Sequence, residues 1–161
     1  MSELGNTLAG YTVTYGNKSL TMTEIFSHGI YGNRTTPVGA AAAECLLSPD
    51  SKYVLTSSRN ATLFDIPSFN PSNSTLLPSD TLQSWTINQT TGNVTFNQLA
   101  PAGGSFPRQF SVNKNGTLAA VGLQYSASVA IVERDVKTGT FGKFVAEIGI
   151  PGQITSVIWD E

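Results

Sequence analysis

Residues 48–60, SPDSKYVLTSSRN, return in form at residues 113–125, NKNGTLAAVGLQY, 65 positions later, each as a turn followed by an alternating strand. TTGNVTF (90–96) and KTGTFGK (137–143) match at a shift of 47, a hairpin signal between two outer strands. PGQITSVIWD (151–160) goes back to the pattern of PRQFSVNKN (107–115) at a shift of 44. A period of this length limits what the chain can become. Each unit is a small sheet that cannot bury its faces alone, so it must stack on copies of itself.

Between these markers, Gly and Pro cut the chain into short runs rich in Val, Thr, Phe, Tyr and Ile, and no stretch carries a capped 3.6-residue apolar period. The expected fold is all-β: a β-propeller segment of four-stranded antiparallel blades in an incomplete ring, about two and a half blades of seven. Residues 1–38 are read as an incomplete blade, with TLAGYTVTY and LTMTEIFS as its third and fourth strands. Residues 39–104 form a blade carrying an insert at 66–80, IPSFNPSNSTLLPSD, whose Pro, Ser and Asn content predicts an unpaired surface loop. Residues 105–150 form a blade with strands at RQFSVN, LAAVGLQ, SVAIVERDV and FVAEIGI. Residues 151–161 are a closing strand of the kind that staples one blade to another, and open blade edges are expected to favour self-association.

Composition narrows the partners. Nine Lys and Arg against eleven Asp and Glu are scattered without a basic stripe, which argues against nucleic acid. The longest apolar run, GAAAAECLL, falls short of a bilayer span, so no membrane partner is expected. The opening residues MSELGNTLAG lack the pattern of a secretory leader. Yet Asn17, Asn33, Asn60, Asn73, Asn88, Asn93 and Asn115 each open an N-x-Ser/Thr triplet, leaving a cytoplasmic and a secreted protein both open. The single cysteine, Cys45, excludes an internal disulfide and reads as a small core residue. No cofactor or metal is called for.

PRQFSVNKNGTLAAVGLQ and SVAIVERDVKTG, with AAAAECLLSPDSKYVLTSSRN, resemble the seven-bladed lactonase-type propellers, a family that contains 6-phosphogluconolactonases and fungal 3-carboxy-cis,cis-muconate cyclases. SELGNTLAGYTVTY and GQITSVIWDE look closest to the cyclase branch, as the C-terminal fragment of a longer protein. The resemblance implies a central-channel site with a glutamate from an Ala-Ala-Glu motif, falling on Glu44, and an arginine from a Pro-Arg motif, falling on Arg108. The family's histidine, from an earlier blade, has no counterpart. His28, in FSHGIYG, reads as a solvated loop residue, and Gln109 stands where relatives carry His, in a position to orient substrate.

The implied activity is a cyclase-like intramolecular lyase of aromatic catabolism, a carboxymuconate-lactonising isomerase that is inactive as this truncated chain. The alternatives are a sugar-lactone hydrolase, with Glu44 acting on water and Arg108 holding a phosphate or carboxylate, and a non-catalytic remnant or binding module. In each enzymatic reading the partner is a small carboxylate or lactone. Arg108 would fork onto an anion and Glu44 would move a proton. Paired repeats set Glu44 opposite Gln109, one place beyond Arg108, so regular strands would face the two apart unless a bulge intervenes. Arg59 reads as structural. Glu133, Arg134, Asp135 and Lys137 read as solvated charges on an outer strand.

Overall fold

A computed structural model describes residues 1–161. The chain contains no helix, and nothing in it is a helix long and apolar enough to cross a membrane. It starts as an antiparallel hairpin, β1 (Thr7–Tyr15) and β2 (Leu20–Gly29). A four-stranded sheet follows, built from β3 (Ala41–Leu47), β4 (Tyr53–Arg59), β7 (Thr81–Ile87) and β8 (Val94–Pro101) in that spatial order. Between β4 and β7 lies a two-stranded ribbon, β5 (Phe64–Pro67) and β6 (Leu76–Ser79). The last sheet runs β9 (Pro107–Val112), β10 (Leu118–Leu123), β11 (Ser128–Arg134) and β12 (Phe141–Gly149) as an up-and-down meander.

Two apolar layers join these sheets. Leu8, Ile30, Tyr31, Ala42, Trp85 and Val94 pack the hairpin onto the first sheet. Leu55, Leu82, Phe110, Val121, Leu123 and Val132, each without exposed surface, pack the first sheet onto the second. This is blade-on-blade stacking: the first sheet turns Trp85 and Val94 toward the hairpin and Leu55 and Leu82 toward the second sheet, so both of its faces are covered. Blade-type sheet extends from Thr7 to Gly149, nearly the whole chain.

Three expectations change here. The insert at 66–80 is not an unpaired loop, since Phe64 pairs with Ser79 and Pro67 with Leu76. Pro67 and Pro78 are tolerated because a two-stranded ribbon leaves outward backbone positions that need no N–H. Phe69, near its tip, meets Phe144 of the second sheet edge-on at 5.4 Å, so the ribbon leans on the neighbouring blade. Residues 151–161 form no strand; they lie extended over the second sheet, where the Val157 amide donates to Gln109 Oε1 (2.6 Å) and the Trp159 indole to the Ser111 carbonyl (3.2 Å). Arg134 is buried and not solvated: its guanidinium donates to the Gly116 carbonyl at 2.9 Å and lies over the Tyr53 ring. Burial pulls its pKa down from the ordinary arginine value, with Asp50, Tyr53 and Asp135 opposing. Glu133, by contrast, is paired at the surface with Lys143.

Candidate functional site

Both inner strands start with an irregularity. In β3 the register steps from Ala42 opposite Ser58 to Cys45 opposite Thr56, so Ala43 and Glu44 together face Ser57. In β9 it steps from Pro107 opposite Leu123 to Gln109 opposite Gly122, which makes Arg108 the extra residue. Each strand therefore carries a bulge at its mouth, and the residue types singled out by the sequence sit on those bulges.

Ser57, fully buried on β4, ties the two together. Its hydroxyl accepts from the Glu44 amide at 3.1 Å and donates to the Pro107 carbonyl at 2.8 Å. Nothing in the sequence marks this serine beyond its place in TSSR, a polar run inside a strand that packs on both faces. Its neighbours are buried as well, Thr56 donating to Gln83 and Tyr31 bonded to Ser58. A buried hydroxyl is retained where its bonds are satisfied, and here they span two blades.

Asp80 fixes the approach to Arg108. This buried carboxylate accepts from the amides of Ala61 (2.8 Å), Asn60 (3.1 Å) and Phe106 (2.7 Å), and from the Thr62 hydroxyl (3.2 Å). Phe106 is held in the left-handed region, φ 66°, a conformation that costs a bulky residue roughly 1–3 kcal/mol. Its ring stacks on Tyr125 at 4.0 Å and lies under Arg59 at 5.0 Å. Arg59 is also bonded to Glu3, so this cation clamps the N-terminal segment to the same mouth. These contacts set the direction in which the chain delivers Pro107 and Arg108.

The bulges do not make Glu44 and Arg108 an ion pair. Arg108 is exposed, while Glu44 is half-buried, with Oε1 accepting from the Cys45 amide at 2.9 Å. Glu44 instead shares a groove of about 330 Å³ with Gln109, Ser111, Leu46 and Phe110. The Gln109 amide is committed at both ends, donating to the Phe110 carbonyl at 3.0 Å and accepting from Val157. Cys45, expected in the core, is exposed. His28 is no loop residue: it sits on β2 opposite Leu8, its ring stacked between Phe26 (5.3 Å) and Trp85 (6.0 Å). Its Nε2 is buried without a partner beside a cavity of about 450 Å³ lined also by Asn33, Thr95 and Phe96.

The family model described as lactonase, 7-bladed beta-propeller, matches residues 1–159. The chain belongs to this family. A curated 6-phosphogluconolactonase of Formosa agariphila is 23% identical over 152 residues, covering 94% of this chain and 37% of that protein. Among solved structures, the periplasmic gluconolactonase of Pseudomonas aeruginosa superposes with a TM-score of 0.72 at 18% identity, over 96% of this chain and 36% of its own. A candidate 6-phosphogluconolactonase of Bacteroides fragilis gives a TM-score of 0.71 at 22% identity, over 95% of this chain and 35% of its own. The lactonase-family chain thus spans little more than a third of the length of these relatives.

These matches correct the sequence reading in two respects. The match is to a lactonase model, and the relatives bear gluconolactonase names, so the assignment to a carboxymuconate cyclase fragment, with its isomerase and aromatic-catabolism chemistry, does not stand. The expectation framed as an incomplete ring gives way to what is matched, propeller architecture across nearly all 161 residues, present here as a hairpin and two four-stranded antiparallel sheets. SELGNTLAGYTVTY and GQITSVIWDE misled because strand alternation is shared by the whole fold and does not discriminate between its branches. A small lactone or carboxylate is the substrate class general to such enzymes.

Proposed function

We propose that this chain provides part of the site of a gluconolactonase-type hydrolase, opening a sugar lactone to its hydroxy acid. The observation that carries this reading is the pair of bulges on β3 and β9, bridged by Ser57, which offers a carboxylate and a guanidinium from adjacent inner strands at one mouth. In this reading Glu44 takes a proton from a water that adds to the lactone carbonyl. The ring C–O bond then breaks, and its oxygen leaves as a hydroxyl with a proton returned from Glu44. Arg108, free of any carboxylate partner, holds the phosphate or carboxylate of the substrate. Gln109, held by the Phe110 carbonyl and the Val157 amide, forms a fixed wall of the groove that it shares with Glu44. The names of the relatives support a sugar lactone, and the exposed cation supports an anionic one.

The test is proton release from δ-lactones of six-carbon sugars, with and without a 6-phosphate, corrected for spontaneous opening. Glu44→Gln should lower the catalysed rate at saturating substrate by about two orders of magnitude, as expected for loss of a general base. Arg108→Ala should act mainly through KM, and more strongly on the phosphorylated lactone. Rates unchanged by either substitution would remove both residues from the site.

A further inference from the structure

Seven of the eleven asparagines open N-x-Ser/Thr triplets, although with Ser and Thr at 36 of 161 positions about two or three would arise by chance. The structure places all seven on exposed residues outside every strand. Their distribution over the molecule is uneven. Antiparallel strands put alternate connections at the same end of a sheet. The turns after β3, β7, β9 and β11 lie at one end; the starts of β3 and β9, with Glu44 and Arg108, lie at the other. The β1–β2 hairpin has its open end on the side of Glu44, where the Ala42 amide donates to the Glu3 carbonyl. Its closed turn therefore points to the opposite end. That end carries Asn17 between β1 and β2, Asn88 and Asn93 between β7 and β8, and Asn115 between β9 and β10.

We propose that these turns are acceptor sites for N-linked oligosaccharide, so that the glycans cover the end of the blades remote from the candidate site. In the transfer, the asparagine Nδ2 attacks the anomeric carbon of a lipid-pyrophosphate oligosaccharide. A C–N bond forms, the anomeric C–O bond breaks, lipid pyrophosphate departs with the electron pair, and an amide proton is lost to base. The side chains of Asn17 and Asn115 make no hydrogen bond that would have to break first, and Asn88 and Asn93 use only their Oδ1 atoms, leaving Nδ2 free. Asn60 contrasts with them: its Nδ2 donates to the Gly39 carbonyl, and Ala61 beside it is fully buried.

A second feature points the same way. Asn17 sits amid exposed apolar side chains, Tyr15, Leu20 and Met22, on a surface where the whole chain supplies only twenty charged side chains to hold water. A glycan there would hydrate a patch that otherwise favours association.

The chain is expressed behind a cleavable secretion leader in yeast, and total protein, from cells and medium together, is treated with an Asn-glycan amidase in heavy-oxygen water. Peptide mapping should show heavy aspartate at 17, at 115 and at one of 88 and 93. The marks should persist when Asn33→Gln and Asn73→Gln, the free sequons near the other end, are combined. An amidase-insensitive mass, an unmarked turn end, or marks that disappear in that double variant would overturn the proposal.

Discussion

Cys45 shows how far a residue's neighbours, and not its type, set its chemistry. A lone cysteine in AAAAECLL reads as core, but the bulge that presents Glu44 turns the next residue outward. The protein around it pushes the thiol above its ordinary value; the N-terminal charge opposes this and the Glu44 carboxylate adds to it. The thiolate is the reactive species, so alkylation by iodoacetamide at neutral pH should be slower than for an unstructured peptide thiol, with its pH midpoint displaced upward. A midpoint at or below that of the peptide would contradict this placement. Arg134 reverses the error: charge suggested solvent, whereas its flat guanidinium is buried on Tyr53.

Among the elements, the turns and bulges carry most of the specificity. Asp135 opens the turn before β12, and its Oδ1 accepts from the amides of Lys137 (2.7 Å) and Thr138 (3.3 Å), which hold its carboxyl below the usual aspartate range. A depressed folded-state pKa contributes stability above the unfolded value, about 3.9, and that contribution is lost as pH falls through the lower folded value. Asp135→Asn should therefore lower the melting temperature at pH 7 and narrow the gap to wild type as pH drops below about 4. A gap of constant size would assign the effect to something other than charge. Asp80 is the stronger case, since its one carboxylate ties residues 60–62 to Phe106. Asp80→Asn, which replaces one acceptor oxygen by an NH2 group, should cost about 2 kcal/mol or more in denaturant unfolding. By loosening Phe106 it should also raise KM for an anionic lactone.

Over the whole molecule, cover is unequal. The two four-stranded sheets share an apolar interface from Leu55 to Phe141, but on the hairpin Tyr11, Val13, Tyr15, Leu20, Met22 and Ile25 remain exposed. Local stability follows buried contact, so amide hydrogens of β1 and β2 should exchange well before those of β10 and β11 in native-state measurements. Equal protection would mean that the hairpin is covered in solution. The sequence alone determined the all-β class, the blade period and the four strands of the second sheet, because alternation and turn residues act locally and repeat with the backbone period. It also marked Glu44 and Arg108, through the motifs they occupy. Tertiary structure alone decided that both lie on bulges bridged by Ser57, that they form no ion pair with each other, that His28 stacks on Trp85, and that the insert pairs as a ribbon. Each of these depends on which blade lies against which, a contact between residues distant in sequence that no local pattern encodes.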